Sequence, residues 1–270
     1  MSQQINKQLV RQRFANRLQS YSDHAVVQQQ MAQALAEMIA RNVESRAFSR
    51  LLEVGAGSGA FMAELLQRFT VESYYANDLV EESHLCLSNQ LDRFAREGFA
   101  INGVTINDFQ FLAGDIEQLE TLPSELDLVA SNATLQWLEH LESFFARMAQ
   151  HLNPDGVLAF SSFSTANMHE IAEIAGTGLH YHSLDELEHL ASNYFDVIES
   201  REETRQLIFS SPEAVLHHIR QTGVNGISQR TWTKSHYQRF IAQYRERFSC
   251  PNGVTLTYHP LYCCMKKRTL

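Results

Sequence analysis

Three glycines at alternate positions follow an apolar run and a glutamate in LLEVGAGSGAF, residues 51–61. A strand that ends in a glycine-rich turn before a helix points backbone N–H groups and the positive helix end at a ligand. No Gly-Lys-Ser/Thr follows the turn, which excludes a phosphate loop for nucleoside triphosphates. Gly55, Gly57 and Ala60 also fit the dinucleotide pattern, so their spacing leaves a nicotinamide cofactor open.

Glu53 bears on that choice because it precedes Gly55 by two residues, at the expected carboxyl end of the strand. A carboxylate there would repel the pyrophosphate of a dinucleotide by an amount on the order of several kcal/mol. It would attract an ammonium or sulfonium group. We therefore expect Glu53, Gly55, Gly57 and Gly59 to surround a cationic cofactor, for which S-adenosylmethionine is the leading candidate.

Two further acids close predicted strands. Asp78 ends YYAND, with Leu79 after it, and its carboxylate is expected to accept both hydroxyl protons of a ribose. Asp115 ends FLAGD, where it is expected to accept from the exocyclic amine of adenine, with Ile116 against the ring. Parallel strands end at one edge of a sheet, so the sequence predicts that these acids share one crevice.

Apolar runs of strand and helix length alternate through the middle of the chain. This alternation predicts an α/β fold with a Rossmann-like, doubly wound, mostly parallel sheet of seven strands. We expect a single domain of 270 residues. Its predicted parts are an N-terminal helical cap (1–45), a cofactor-binding core (46–211), a helical insertion (212–250) and a C-terminal edge strand (251–270). Pro260 favours the edge position of that last strand.

Several function classes lack support in the sequence. The four cysteines form no CxxC pair, and the histidines lack the HExxH pattern, so we expect no metal. The apolar runs are short, and the N-terminus lacks a charged tip followed by an apolar block, so we expect a cytoplasmic protein without a membrane span or signal peptide.

Charge is distributed unevenly behind the net value of −9. Residues 1–22 carry four basic and no acidic side chains, and residues 204–270 carry ten basic and two acidic ones. Solvated helix faces would account for this pattern, but so would two ends that meet as a docking surface for an acidic partner. Nucleic acid is disfavoured because the middle of the chain is strongly acidic and no DNA-binding motif is present.

These motifs resemble those of class I S-adenosylmethionine-dependent methyltransferases. EVGAGSG is similar to their first motif, ND to the acid of their second strand, AGDIE to their adenine loop and SNATLQWL to the end of their fourth strand. The resemblance covers about residues 45–165. It implies a Rossmann-like fold and S-adenosylmethionine as the methyl donor, with S-adenosylhomocysteine as the product.

Features inside and outside that core resemble the malonyl-acyl-carrier-protein O-methyltransferase family of biotin synthesis. The similar features are Phe14, Tyr21, Ala25 and Gln28, the stretch SNATLQW, and SSPEAVLHHIRQTGVNG at 210–226. This resemblance implies methylation of the free carboxylate of malonyl-acyl carrier protein, giving its methyl ester. Alternatives are a methyltransferase for a free, aconitate-like acid, an NAD-dependent oxidoreductase and a nucleoside-binding module without chemistry.

A carboxylate is already ionised at neutral pH, so it can attack a methyl sulfonium without a general base, and we assign no catalytic base. Tyr21 and Gln28 are expected to close over the cofactor. Asn132 and Trp137 are expected to align the carboxylate and exclude water, and Arg220 is expected to bind the malonyl carboxylate or the phosphopantetheine phosphate. A basic rim is expected to steer the acidic carrier protein, consisting of Arg11, Arg13, Arg17, Arg230, Lys234 and Arg239.

Overall fold

The computed structural model describes residues 5–18, 25–97, 106, 108–176, 178–222 and 232–269. The helices are α1 (Lys7–Ala15), α2 (Val26–Asn42), α3 (Ala60–Leu66), α4 (Ser83–Glu97), α5 (Leu141–His151), α6 (His169–Ala175), α7 (Leu184–Ala191), α8 (Pro212–Gln221) and α9 (Lys234–Phe248). The strands are β1 (Ala47–Val54), β2 (Thr70–Asp78), β3 (Asp108–Ala113), β4 (Leu126–Ser131), β5 (Leu152–Phe163), β6 (Phe195–Glu202), β7 (Arg205–Phe209), β8 (Ser249–Cys250), β9 (Gly253–Tyr258) and β10 (Pro260–Lys267).

The larger sheet has seven strands in the order β3-β2-β1-β4-β5-β10-β6. Strands β1 to β5 pair in parallel, and β10 pairs antiparallel with both of its neighbours. The predicted α/β, mostly parallel seven-stranded sheet is therefore confirmed. The strand order reverses at β1, because β2 lies on one side of it and β4 on the other. A crevice opens at such a reversal, beyond the carboxyl ends of the strands.

The central strands of the sheet are buried on both faces, as is usual for parallel strands covered by helices. Neighbouring β1 residues point to opposite faces, so Leu51 packs in the cluster that contains Met31 and Leu35 of α2. Leu52 packs in the other cluster, with Phe145 of α5. Helix α2 forms this contact because its apolar residues recur at helical spacing. The layers hold the strand ends in fixed positions around the crevice.

The C-terminal segment differs from the prediction of an edge strand. Residues 253–267 form two strands, and β10 lies between β5 and β6, so β6 is at the edge. Pro260 is the first residue of β10, a position that proline tolerates in any strand. Residues 261–265 after it are apolar and buried, and they pack on both faces, with Leu261 and Tyr262 in different clusters. The proline had suggested an edge, but two-sided burial requires an interior position.

The predicted insertion contains α8 and α9, which lie between strands of a smaller antiparallel sheet with the order β7-β9-β8. Residues 195–209 form β6 and β7, which belong to different sheets. No helix in the described ranges has both the length and the apolar character needed to cross a membrane.

Candidate functional site

The glycine loop between β1 and α3 has left-handed backbone at three positions, with φ of +77° at Gly55, +53° at Gly57 and +83° at Gly59. Residues with a Cβ rarely adopt this conformation. A Cβ added at Gly55 would lie 2.1 Å from Oγ1 of Thr134, so this position also needs glycine for lack of space. A Cβ added at Gly57 would have no atom within 4 Å, because it would point into an open cleft.

The cleft has about 1130 Å³ of empty space, part of it open to solvent. Its wall comes from α1, α2, the glycine loop and the ends of β2, β3 and β4. Most of the predicted site residues line it, namely Gln28, Gly55, Gly57, Asp78, Leu79, Asp115, Ile116, Asn132 and Trp137. Glu53, Gly59 and Arg220 do not belong to the wall. Tyr21 lies outside the described residues.

Asp78 connects the second strand to the glycine loop. Its Oδ2 accepts from the Gly57 N–H at 2.7 Å, and its Oδ1 accepts from the Val80 N–H at 2.7 Å. Burial raises the pKa of this carboxyl, and the two backbone donors oppose that effect. A carboxylate has about four lone-pair positions, so further acceptor capacity remains for a diol in the cleft.

Asp115 has a partner that was not foreseen. Both of its oxygens accept from Nζ of Lys7, at 2.8 and 2.7 Å. Lys7 also donates to Glu117, which in turn accepts from the backbone N–H groups of Glu139 and His140. Burial opposes the positive charge of Lys7, but the two carboxylates outweigh it and raise its pKa. The contact joins residues 108 positions apart, so sequence spacing gave no indication of it.

Asn132, at the end of β4, is fixed by neighbours on two other elements. Its Nδ2 donates to the Gln28 carbonyl of α2 at 3.1 Å, and its Oδ1 accepts from Ser161 Oγ at 2.6 Å. Ser161 Oγ also accepts from the N–H of Ala133, whose φ of +51° is unusual for a residue with a Cβ. The predicted aligning residue is therefore held in one orientation by Ser161, which the sequence did not single out.

One face of the first helical segment covers the cleft. Lys7, Val10, Phe14 and Leu18 recur at helical spacing, and all four line the wall. Phe14 meets Trp137 edge-on, with ring centroids 5.8 Å apart. We call residues 7–18 the roof. Gln28 is 5% exposed beside it, and its Oε1 has no partner among the described residues, which leaves a buried acceptor at the cleft.

Glu53 does not line the cleft, where the sequence predicts it. Its side chain is 1% exposed, lies outside the cleft wall and accepts from the Tyr74 hydroxyl at 2.5 Å. Burial raises its pKa to about 8, so near neutrality the group is mostly protonated. The expected negative charge beside the cofactor is absent there. The reason is that the Glu53 side chain points from β1 into the packed core. Its place in the sequence, two residues before Gly55, does not show which way the side chain points.

The cleft still disfavours a dinucleotide. Its described wall contains the acids Asp78 and Asp115, and the one basic side chain there, Lys7, is already paired with Asp115 and Glu117. A pyrophosphate would therefore enter without a cation to meet it. A cationic or neutral nucleoside fits this charge distribution better.

Comparison with known proteins identifies the family of this chain. The family model described as a methyltransferase domain matches residues 27–200. The chain belongs to the methyltransferase domain family. The malonyl-[acyl-carrier protein] O-methyltransferase of Chlorobium luteolum is 49% identical to this methyltransferase over 263 residues, which cover 97% of this chain and 96% of the relative.

Solved structures share the fold. The YcgJ protein of Bacillus subtilis matches this methyltransferase with a TM-score of 0.59 at 15% identity, over 88% of this chain and 99% of its own. Phosphoethanolamine N-methyltransferase 2 of Haemonchus contortus was solved with phosphomonomethylethanolamine and S-adenosylhomocysteine. It matches with a TM-score of 0.51 at 16% identity, over 87% of this chain and 52% of its own. At these identities the likeness establishes the fold alone.

Proposed function

We propose that this methyltransferase transfers the methyl group of S-adenosylmethionine to the free carboxylate of malonyl-acyl carrier protein, producing the methyl ester used in early biotin synthesis. The observation that carries the proposal is 49% identity to a relative of that name over 97% of the chain. This similarity extends beyond residues 27–200, which the family model matches, into the roof and the α8–α9 segment. We treat the whole chain as one domain because the roof forms part of the cleft wall.

Four features of the cleft fit S-adenosylmethionine. The space beside Gly57 admits a ligand close to the backbone, and Asp78 offers acceptors for ribose hydroxyls. Ile116 is an apolar wall residue that suits an adenine ring, and Leu79 lies next to Asp78. The buried Oε1 of Gln28 suits the positively charged end of the cofactor. When bound, the cofactor supplies an electrophilic methyl group on a sulfonium.

The chain's own residues then position groups and exclude water. The malonyl carboxylate needs no base, because its pKa lies well below neutrality. Its negative charge and the sulfonium charge disappear together in the transition state, so an aligned, poorly hydrated cleft favours the reaction. Phe14, Leu18 and Trp137 supply the apolar wall, and Asn132 presents an amide that Ser161 holds in place.

The basic rim is the proposed docking surface for the acidic carrier protein. The Arg17 guanidinium donates to Gln221 of α8 at 3.0 Å, so the two basic ends of the chain meet here. Arg11 is about half exposed, and Lys234 and Arg239 are exposed on α9. Burial lowers the pKa of Arg13, which is therefore less open to a partner than Arg11. Arg230 lies outside the described residues.

Arg220 is exposed on α8 and lies outside the cleft wall. Of its two predicted ligands, this position favours the phosphate of the carrier's phosphopantetheine, which remains outside while the malonyl group enters the cleft. A guanidinium also matches the geometry of a phosphate.

Steady-state kinetics with three substrates test the proposal. We expect the highest kcat/KM for malonyl-acyl carrier protein, a lower value for malonyl-coenzyme A and the lowest for a free tricarboxylate. Added salt is expected to raise KM for the carrier more than it lowers kcat, since charge attraction mainly speeds encounter. Equal turnover of a free acid would instead support the aconitate-like alternative.

A further inference from the structure

We propose that Lys7 is a positioning residue that clasps the roof to the adenine end of the cleft and so sets how long the cofactor stays bound. The inference rests on the proposed function for the identity of the cofactor. It starts from a cluster of three charges, Lys7, Asp115 and Glu117, in which the side chains are only 17%, 12% and 9% exposed.

The clasp joins three separate parts of the fold. Lys7 is the first residue of α1, whereas Asp115 and Glu117 follow β3. Glu117 reaches further, to the backbone N–H groups of Glu139 and His140 just before α5. A shift of the roof away from the cleft would therefore separate a partly buried ammonium from two carboxylates that are themselves fixed. Pairs that are shielded in this way are screened by salt less than surface pairs.

The opposite end of the roof is attached by different contacts. Phe14 packs on Trp137, and Arg17 donates to Gln221 of α8. Between Lys7 and Arg17, the side chains of Val10 and Phe14 face the cleft. A ligand below the roof is enclosed on that side, so release past the roof requires at least one attachment to open. The Lys7 end lies beside Asp115, where the adenine is predicted to bind.

Lys7 and an adenine amine can share Asp115 rather than compete for it. Oδ2 accepts from Lys7 at 2.7 Å, and a carboxylate oxygen has two lone pairs. Oδ1 accepts from Lys7 and from the Glu117 N–H at 3.1 Å. One acceptor position of Oδ2 thus remains for a donor in the cleft. Shared use makes a testable difference, because a competing lysine would weaken cofactor binding whereas a clasp would strengthen it.

The test uses Lys7→Met and Lys7→Arg in the full chain. The control is Lys266→Met, which removes an exposed lysine that pairs with Asp155 at 2.9 Å, away from the cleft. The dissociation rate of S-adenosylhomocysteine is measured by stopped-flow displacement. Amide hydrogen exchange of residues 8–15 is measured without ligand. We expect Lys7→Met to speed dissociation on the order of tenfold and to lower protection of the roof. We expect a smaller effect from arginine and none from the control.

Slower dissociation in Lys7→Met would show that Lys7 competes with the adenine for Asp115 and would overturn the proposal. Unchanged dissociation rates together with unchanged exchange would also overturn it. Glu117→Gln keeps an acceptor for the N–H groups before α5 but loses the negative charge. Its effect on the dissociation rate should therefore be non-additive with that of Lys7→Met. Full additivity of the two effects would contradict the clasp. If the wild-type protein fails to bind S-adenosylhomocysteine, the proposed function fails. The exchange measurement still decides whether Lys7 holds the roof.

Discussion

The Tyr74 hydroxyl of β2 donates to Oε2 of Glu53 on the neighbouring strand β1 at 2.5 Å, and both side chains are buried. Burial raises the pKa of Glu53 to about 8, and the Asp78 carboxylate adds to that effect while the tyrosine opposes it. Burial and the nearby Glu53 raise the pKa of Tyr74 as well. The pair is therefore a protonated acid and a phenol near neutrality.

Glu53 should make the protein less stable as pH rises. Its folded pKa of about 8 exceeds the ordinary 4.5, so its contribution is complete below pH 4.5 and is lost as pH rises through 8. Glu53→Gln should flatten the dependence of the unfolding free energy on pH between 5 and 8, by on the order of 1 kcal/mol per pH unit. Urea unfolding measures this. Asp78 changes the pH dependence in the same direction in the wild type and in Glu53→Gln. The difference between the two pH profiles therefore reports on Glu53.

The matched control for that experiment is Glu120→Gln, which changes an exposed glutamate. Its profile should follow that of the wild type. An unchanged slope in Glu53→Gln would mean that Glu53 ionises in the folded protein as it does in the unfolded chain.

Gly57→Ala should weaken cofactor binding with a modest loss of stability. The added methyl meets no protein atom within 4 Å, but it enters the cleft, and φ of +53° costs about 1–2 kcal/mol. Gly176→Ala is the control, since Gly176 has φ of +63° and equally open surroundings at the end of α6. Calorimetry with S-adenosylhomocysteine and urea unfolding compare the two. Wild-type affinity in Gly57→Ala would place the cofactor elsewhere.

Asp78→Asn should lower both cofactor affinity and stability. An amide has one acceptor oxygen, so the Gly57 or the Val80 N–H loses its partner, at about 1–3 kcal/mol. Asp127→Asn is the matched control, because Oδ2 of Asp127 accepts from two backbone N–H groups at the start of β1, far along the strand from the cleft. Equal loss of S-adenosylhomocysteine affinity in both variants would contradict a binding role for Asp78.

Ser161→Ala should reduce kcat on the order of tenfold while S-adenosylhomocysteine affinity changes little. The substitution frees the Asn132 amide, which Ser161 fixes at 2.6 Å, but leaves the glycine loop intact. Ser162→Ala is the control, as the neighbouring serine is equally buried and donates to Gln136 at 3.1 Å. Ser161→Thr should restore activity in part. Equal losses of kcat in both alanine variants would point to general loosening of β5.

The sequence predicted the features that depend on local pattern. The alternation of strands and helices predicted the parallel sheet. The acids at predicted strand ends predicted that Asp78 and Asp115 line one cleft. It did not predict partners such as Lys7 and Ser161, because contacts across 108 and 29 residues arise only when the chain packs. The direction of Glu53 likewise depends on the pleat of β1 against the core.

The most direct test of the account is mass spectrometry of malonyl-acyl carrier protein after incubation with this methyltransferase and S-adenosylmethionine. We predict that the malonyl carrier gains the mass of one CH₂, that cleavage of the thioester releases this mass as monomethyl malonate, and that carrier protein without malonate gains nothing. An unchanged malonyl carrier, under conditions in which a free acid or another substrate is methylated, would contradict the proposed function.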